Sequence, residues 1–291
     1  MVIEISKKAA KYYNKLRPEG LFPTARSDPD FTAIYFNFAF DQVLNRKTVL
    51  DRDTKFLVRL ASLIGMNAVN LFEDHAYDAM KIGVDPVKIK EMTYQASVNL
   101  GMGRAFPFIQ AVNRKLTDLG IFDTVQGKAT VDSKDYKAMG LKIKKQVYGD
   151  TFDYLSKMGY LDTQVFYDWM FSYEFGAFYS REGLDIKTRE LISFVFTFSN
   201  GGMIEQTVIH AVNCFRLGND PDVLKEAIIQ CIPYVGFDLA LNGLLSINLA
   251  IDRTKKGISE KTAWDNTFKG DPEDEKEKRE DGSDGSDPHN E

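Results

Sequence analysis

His75 and His210 hold matching positions in an internal duplication, and imidazole is the side chain whose proton moves most readily near neutral pH. His75 is followed eight residues later by Gly83-Val84-Asp85-Pro86, and His210 eight residues later by Gly218-Asn219-Asp220-Pro221. The offset of 135 also maps Lys90-Glu91 onto Lys225-Glu226, Gln95 onto Gln230, Gly101 onto Gly236, Ala105 onto Ala240 and Asn113 onto Asn248. Upstream it pairs Phe36 with Phe171 and Phe40 with Phe175. A period this long exceeds a solenoid repeat and suits two copies of one small-domain-sized unit. The third histidine, His289, stands in an acidic terminal stretch and is set aside.

Two carboxylates precede His210 closely enough to share a proton with it. Glu205 is five residues upstream, which is about 140° around a helix, so the two side chains do not share a face. Gln206, Thr207, Ala211 and Cys214 do share the His210 face. Glu205 and His210 can cooperate only if the helix starts late near Gly201-Gly202, or if the partners come from different subunits. Glu190 is the second candidate, on the preceding helix beside Arg189, although Arg–Glu pairs at a helix seam commonly hold helices together. His75 shares its face with Leu71, Asp78 and Ala79 and is expected to be structural. Two histidines so far apart, without Cys or carboxylate neighbours at ligand spacing, predict no bound metal. Cys214 and Cys231 show no redox or metal spacing. Free thiols and a cytoplasmic location are expected, with Cys214 a small buried hydrophobe.

A chain of 291 residues with 44% hydrophobic content can bury two ordinary cores or one fused core. Residues 271–291 carry ten Asp or Glu against three Lys or Arg, leaving the rest of the chain near neutrality. A body with no basic excess argues against nucleic-acid binding. The 255–291 stretch, acidic towards its end and rich there in Gly and Ser, is expected to be a disordered tail. The first residues are charged and lack a signal-peptide run. Ala227 to Ala250 is apolar but holds Gln230, Pro233, Asp238 and Asn242, with Gly236 near its middle. Two buried helices fit it better than a membrane span.

Nearly every segment carries a helical period, so the fold class is all-α. Asp85-Pro86 and Asp220-Pro221 each place an N-cap carboxylate before a proline at the first helical position, with Gly83 and Gly218 closing the helix before. Further helices are expected over 53–65, 104–119, 186–200 and 238–253, with aromatic-rich helices over 31–44 and 163–179. The organisation read from this is an N-terminal helical extension (1–30), a first unit (31–119), a connection (120–143), a second unit (144–254) and the tail.

The second half resembles the carboxymuconolactone decarboxylase family. The resemblance rests on Phe175-Gly176, Arg181-Glu182-Gly183-Leu184-Asp185, Lys187-Thr188-Arg189-Glu190-Leu191-Ile192, Gly202, Glu205, His210-Ala211, Gly218, Glu226, Gln230, Tyr234-Val235-Gly236 and Ala240. The first half looks like a diverged copy, in which Phe56 replaces the glutamate after the basic residue and Asn99 stands where the second half has Tyr234. The resemblance implies two tandem alkyl hydroperoxidase D-like helical units and self-assembly, with three two-domain chains mimicking a hexamer. It also implies cofactor-free decarboxylation or isomerisation of a small lactone or keto acid, with His210 as general acid/base and Glu205, Glu190 and Tyr234 as its partners. Two alternatives stay open: an alkyl hydroperoxidase-like redox protein, disfavoured because Met203 and Gln206 stand where its Cys-x-x-Cys pair would fall, and a non-catalytic oligomeric binding protein. Asp238, where many members carry proline, departs from the family pattern.

Overall fold

The computed structural model describes residues 3–16, 24–149 and 163–255, and every regular element among them is helical. The acidic stretch beyond Lys255 lies outside the described residues. In chain order the helices are α1 (Lys7–Leu16), α2 (Pro29–Phe36), α3 (Arg52–Gly65), α4 (Val69–Lys81), α5 (Pro86–Asn99) and α6 (Met102–Asp118). They continue as α7 (Tyr136–Tyr148), α8 (Gln164–Trp169), α9 (Ile186–Asn200), α10 (Ile204–Arg216) and α11 (Pro221–Lys255). The fold is all-α, as the periodicity implied.

Local chemistry explains the helix starts. Asp51 accepts from the Thr54 amide at 2.7 Å and Asp185 from the Thr188 amide at 2.8 Å, capping α3 and α9 in the same manner. Asp85 and Asp220 cap α5 and α11 through the amides of Val87 and Val223. Gly83 and Gly218, at φ of 90° and 85°, take the left-handed conformation that lets the chain turn between helices. The boundaries of α4 and α10 coincide at the 135 offset. Gly236 breaks α11 at φ 78°, ψ 173°, as Gly101 (φ 85°, ψ 155°) separates α5 from α6. By length and composition alone α11 could cross a membrane. It is two helices joined at Gly236, and Leu224, Ala227, Ile228, Cys231, Ile247 and Ala250 go into the protein core.

The aromatic segments depart from the regular helices expected of them. α2 runs into a π-helical stretch over Asn37–Val43, and α8 into one over Met170–Tyr179. A π-helix widens the backbone by one residue per turn and is found mostly where function keeps it.

One continuous apolar core joins both halves, built on α3, α4, α5, α6, α9, α10 and α11. At its centre α3 lies against α9, and a Cβ on Gly65 would collide with the side chain of Ser199. Charged pairs cross the same seam reciprocally. Arg181 reaches back to Glu91 (2.8 Å) and Arg46 reaches forward to Glu226 (3.0 Å). Arg46 and Arg181 are 135 residues apart, as are Glu91 and Glu226. The wholly buried Arg189 adds a second bond to Glu91 at 3.2 Å. Gln95 and Gln230, also an equivalent pair, accept from Arg189 and Arg59 of the opposite half.

A smaller cluster of Ile143, Val147, Tyr148, Phe171, Phe175 and Tyr179 fastens α7 to the second π-helical stretch. The two backbones meet at glycine: a Cβ on Gly176 would strike the Tyr136 carbonyl, and one on Gly140 the Phe171 carbonyl. That contact explains Gly176 in the Phe175-Gly176 pair. Gly176→Ala is expected to lower stability by about 1–3 kcal/mol, because the clash is with backbone that cannot rotate away. Gly103→Ala, where a Cβ meets nothing, should leave the urea midpoint level or slightly higher. Equal midpoints for the two variants would refute the close-packing argument.

Candidate functional site

The cavity beside His210 has a volume of about 780 Å3. Its wall draws on Val98 and Asn99 at the end of α5, Tyr136 and Tyr148 of α7, and Phe166 and Trp169 of α8. Met170, Ser172, Tyr173 and Glu174 of the π-helical stretch, Thr197 of α9, and Met203, Gln206 and His210 at α10 complete it. The side chains are brought there by the π-helical turn, which carries Glu174 and Tyr179, and by α10, which starts late after Gly201 and Gly202 (φ of 75° and 70°).

His210 and Glu190 meet at the back of this cavity. Nδ1 of His210 lies 2.9 Å from Glu190 Oε2, with Glu190 wholly buried on α9. Tyr179 donates to the other carboxylate oxygen at 2.8 Å, and Asn213, one turn after His210, donates to Oε2 at 3.3 Å. Three side chains from two elements therefore satisfy one buried carboxylate, as burial of a charge requires. With Nδ1–H turned to the carboxylate, Nε2 is left as the ring nitrogen for the cavity that His210 lines. The hydroxyl of Tyr179 also lies 2.9 Å from Ser193 Oγ. Ser193 accepts from Gln95 at 2.9 Å and donates to Asn99 Oδ1 at 3.2 Å. Asn99 is a first-half residue, so these polar contacts lead from the second half's carboxylate to an amide supplied by the first half.

Burial pulls the His210 pKa down, but the charge and hydrogen bond of Glu190, together with Glu174, outweigh it and leave the imidazole above its usual range. Glu174, half-buried in the wall, has its carboxyl pushed up to about 7, chiefly by desolvation, with His210 lowering and Glu190 raising it. The site thus sets a carboxyl raised to about 7 in the same cavity as an imidazole held above its usual range.

The structure brings together two of the four residues anticipated here. Glu205 is turned away from His210, since it sits in the first turn of α10 and forms a two-pronged ion pair with Arg253 at 2.8 and 2.9 Å, tying α10 to the end of α11. Tyr234 is not beside His210 either. Its ring packs edge-on against His75, with centroids 5.3 Å apart, in the opposite half. His75 donates from Nδ1 to the Leu71 carbonyl at 2.9 Å, and Phe40 stacks on its ring. The seam partner expected for Glu190 also differs, since Arg189 pairs with Glu91 and leaves Glu190 to His210.

Glu174, Tyr179, Asn213 and Asn99 were missed. A signal for three of them lay in the 135 register, where Glu174 faces Ala39, Tyr179 faces Leu44 and Asn213 faces Asp78. The halves diverge at the positions that build the site. Cys214 and Cys231 are free and wholly buried, and burial pushes both thiols up, Cys214 well above its usual range and Cys231 to about 12. Neither has the exposed thiolate that peroxide reduction needs.

Residues 164–247, from α8 through most of α11, match the model of the carboxymuconolactone decarboxylase family. The family match is to this stretch of the second half. Among curated proteins, none matches the chain. The matched residues hold Glu174, Tyr179, Glu190, His210 and Asn213, while α7 and Asn99, which complete the cavity, lie outside the match.

The raised Glu174 pKa has a consequence for stability with a fixed sign. Between the ordinary carboxyl value of 4.5 and about 7 the folded protein holds a proton that the unfolded chain has released. Stability therefore falls as pH rises through that window. Glu174→Gln should melt higher than the parent above pH 7, and the two should converge below 4.5. A constant difference in Tm across the whole range would show that Glu174 titrates normally.

Proposed function

We propose that this family domain catalyses cofactor-free proton transfer on a lactone or keto acid, as a decarboxylation or an isomerisation, with His210 as general acid/base. The observation that carries the reading is the 2.9 Å bond from His210 Nδ1 to the buried Glu190, which orients the ring and leaves Nε2 to the cavity. In an isomerisation, Nε2 takes a proton from the carbon next to the carbonyl. The electron pair moves onto the carbonyl oxygen as a dienolate, and the imidazolium returns the proton to a different carbon. In a decarboxylation the bond to the carboxylate breaks instead, carbon dioxide leaves, and the imidazolium protonates the carbanion equivalent. His210 then recovers its proton from water. Glu190 stabilises the imidazolium in either case.

Asn99 is suited to the developing oxyanion. Its Oδ1 is engaged by Ser193, which turns its Nδ2–H toward the cavity that Asn99 lines. His210→Gln is expected to reduce turnover by about a hundredfold or more, the usual scale for a general acid/base. His75→Gln should instead shift the thermal midpoint and leave turnover within about twofold of the parent. A screen of small lactones and keto acids, following carbon dioxide release and ultraviolet absorbance, supplies the assay. Turnover that persists undiminished in His210→Gln would sink the assignment.

The tandem arrangement belongs to the same reading. The exchanged pairs Arg181–Glu91 and Arg46–Glu226 support two copies of one unit related by a pseudo-twofold. The first unit then acts mainly as scaffold and supplies Asn99. Self-association of such chains is supported by the exposed stripe Phe237, Leu241, Leu245 and Leu249 on α11, and by Met102 and Phe106, exposed at the register positions of the first two. Leu241→Glu is expected to shift the protein to smaller species in light scattering. A parent protein that already scatters as a 33.0 kDa monomer would remove the proposal.

A further inference from the structure

The residues lining the cavity specify a substrate class. Among the described residues no Lys or Arg lines it, and His210 is its sole basic side chain. Two carboxyls stand at its polar end, Glu174 in the wall and Glu190 directly behind His210. The remaining wall is aromatic and apolar: Tyr136, Tyr148, Phe166, Trp169, Met170 and Tyr173, with Trp169 and Phe166 well exposed at 68% and 58%. The nearest ion-paired cations are committed elsewhere, Arg181 and Arg189 to Glu91 and Lys137 to Asp168. A substrate carrying one or more carboxylates would lose its water shell here without gaining a cation, and would face two like charges. The volume of about 780 Å3 falls within the range for drug-sized ligands, well above what a small lactone acid fills.

We infer that the substrate is an uncharged, drug-sized molecule whose flat or apolar body lies between Trp169, Tyr173 and Phe166, and whose carbonyl reaches His210 and Asn99. This rests on the acid/base reading above and selects the isomerisation branch within it, because an uncharged lactone or ketone has no carboxylate to lose. The chemistry balances without a co-reactant: one C–H bond breaks at Nε2, one C–H bond forms from the same nitrogen, and the double bond moves between them.

A matched pair of probes tests the class without depending on turnover. Methyl 2-naphthoate and 2-naphthoate share one ring system and differ in charge, and both can be titrated calorimetrically into the full chain at neutral pH. The ester is expected to bind at least about tenfold more tightly than the anion, equivalent to about 1.4 kcal/mol. Glu174→Gln should narrow the gap several-fold by strengthening the anion, while Trp169→Ala should weaken the ester. Anion binding equal to or tighter than ester binding would overturn the inference, as would failure of the ester to bind. Failure of the acid/base reading looks different: His210→Gln would then keep turnover, whatever the two probes do. A tenfold preference that Glu174→Gln does not change would also count against the stated cause.

Discussion

The site depends on the burial of one carboxylate. Glu190 is inaccessible to solvent on a helix whose neighbours are Leu191, Ile192, Phe194 and Val195. A carboxylate in that position needs donors within reach, because its loss of hydration costs several kcal/mol if nothing replaces the water. His210, Tyr179 and Asn213 replace it. Two of the three come from α10, and the third from the π-helical stretch that glycine contacts pin to α7. The cavity, the orientation of the imidazole and the registration of α7 against α9 are thus tied to satisfying one charge. This is also why the arrangement is specific, since a one-residue slip of the π-helical stretch would take the Tyr179 hydroxyl away and leave a carboxylate oxygen bare.

The same geometry in the first half has been filled in by apolar groups. One residue out of the 135 register, Phe56 occupies the position of Glu190, and it is buried at 5% exposure among aliphatic neighbours. Ala39 and Leu44 stand where the second half has Glu174 and Tyr179. The Nδ1 of His75 meets the helix's own Leu71 carbonyl, where His210 meets Glu190. The rings of Phe40 and Tyr234 pack around it. Apolar replacement of a buried charged group often stabilises a fold, so the first half gains a firmer core where the second keeps a costlier, reactive one. The two are welded by Arg181 and Arg46 reaching in opposite directions across the seam, and that weld brings Asn99 to the second half's cavity.

The sequence made the helices legible because capping and turn chemistry are local. The Asp-Pro pairs and the preceding glycines act within a few residues and appear where they were expected, and the Asp51 and Asp185 caps are equally local. The Glu190–His210 pairing was half legible. Its residues were named, but so were Glu205 and Tyr234, and only tertiary contacts separate them. Glu205 is claimed by Arg253, forty-eight residues away in sequence. Tyr234 follows α11 across the seam to His75. The π-helical stretches were not legible as such, because one extra residue per turn leaves the apolar pattern nearly unchanged over ten residues. Glu174 hid inside that pattern. Its best signal was the contrast with Ala39 at the 135 offset, where the second half places a carboxyl and the first a methyl group.

Desolvation pushes the Glu174 carboxyl up to about 7, and the charge and hydrogen bond of Glu190 hold His210 above its usual range. Both groups line one aromatic-walled cavity. Tyr136 and Tyr148 line the cavity from α7, while Gly140 and Gly176 let that helix lie close enough for them to reach. The glycine contacts and the widened helix therefore serve one end: they bring the aromatic wall up to the imidazole of His210.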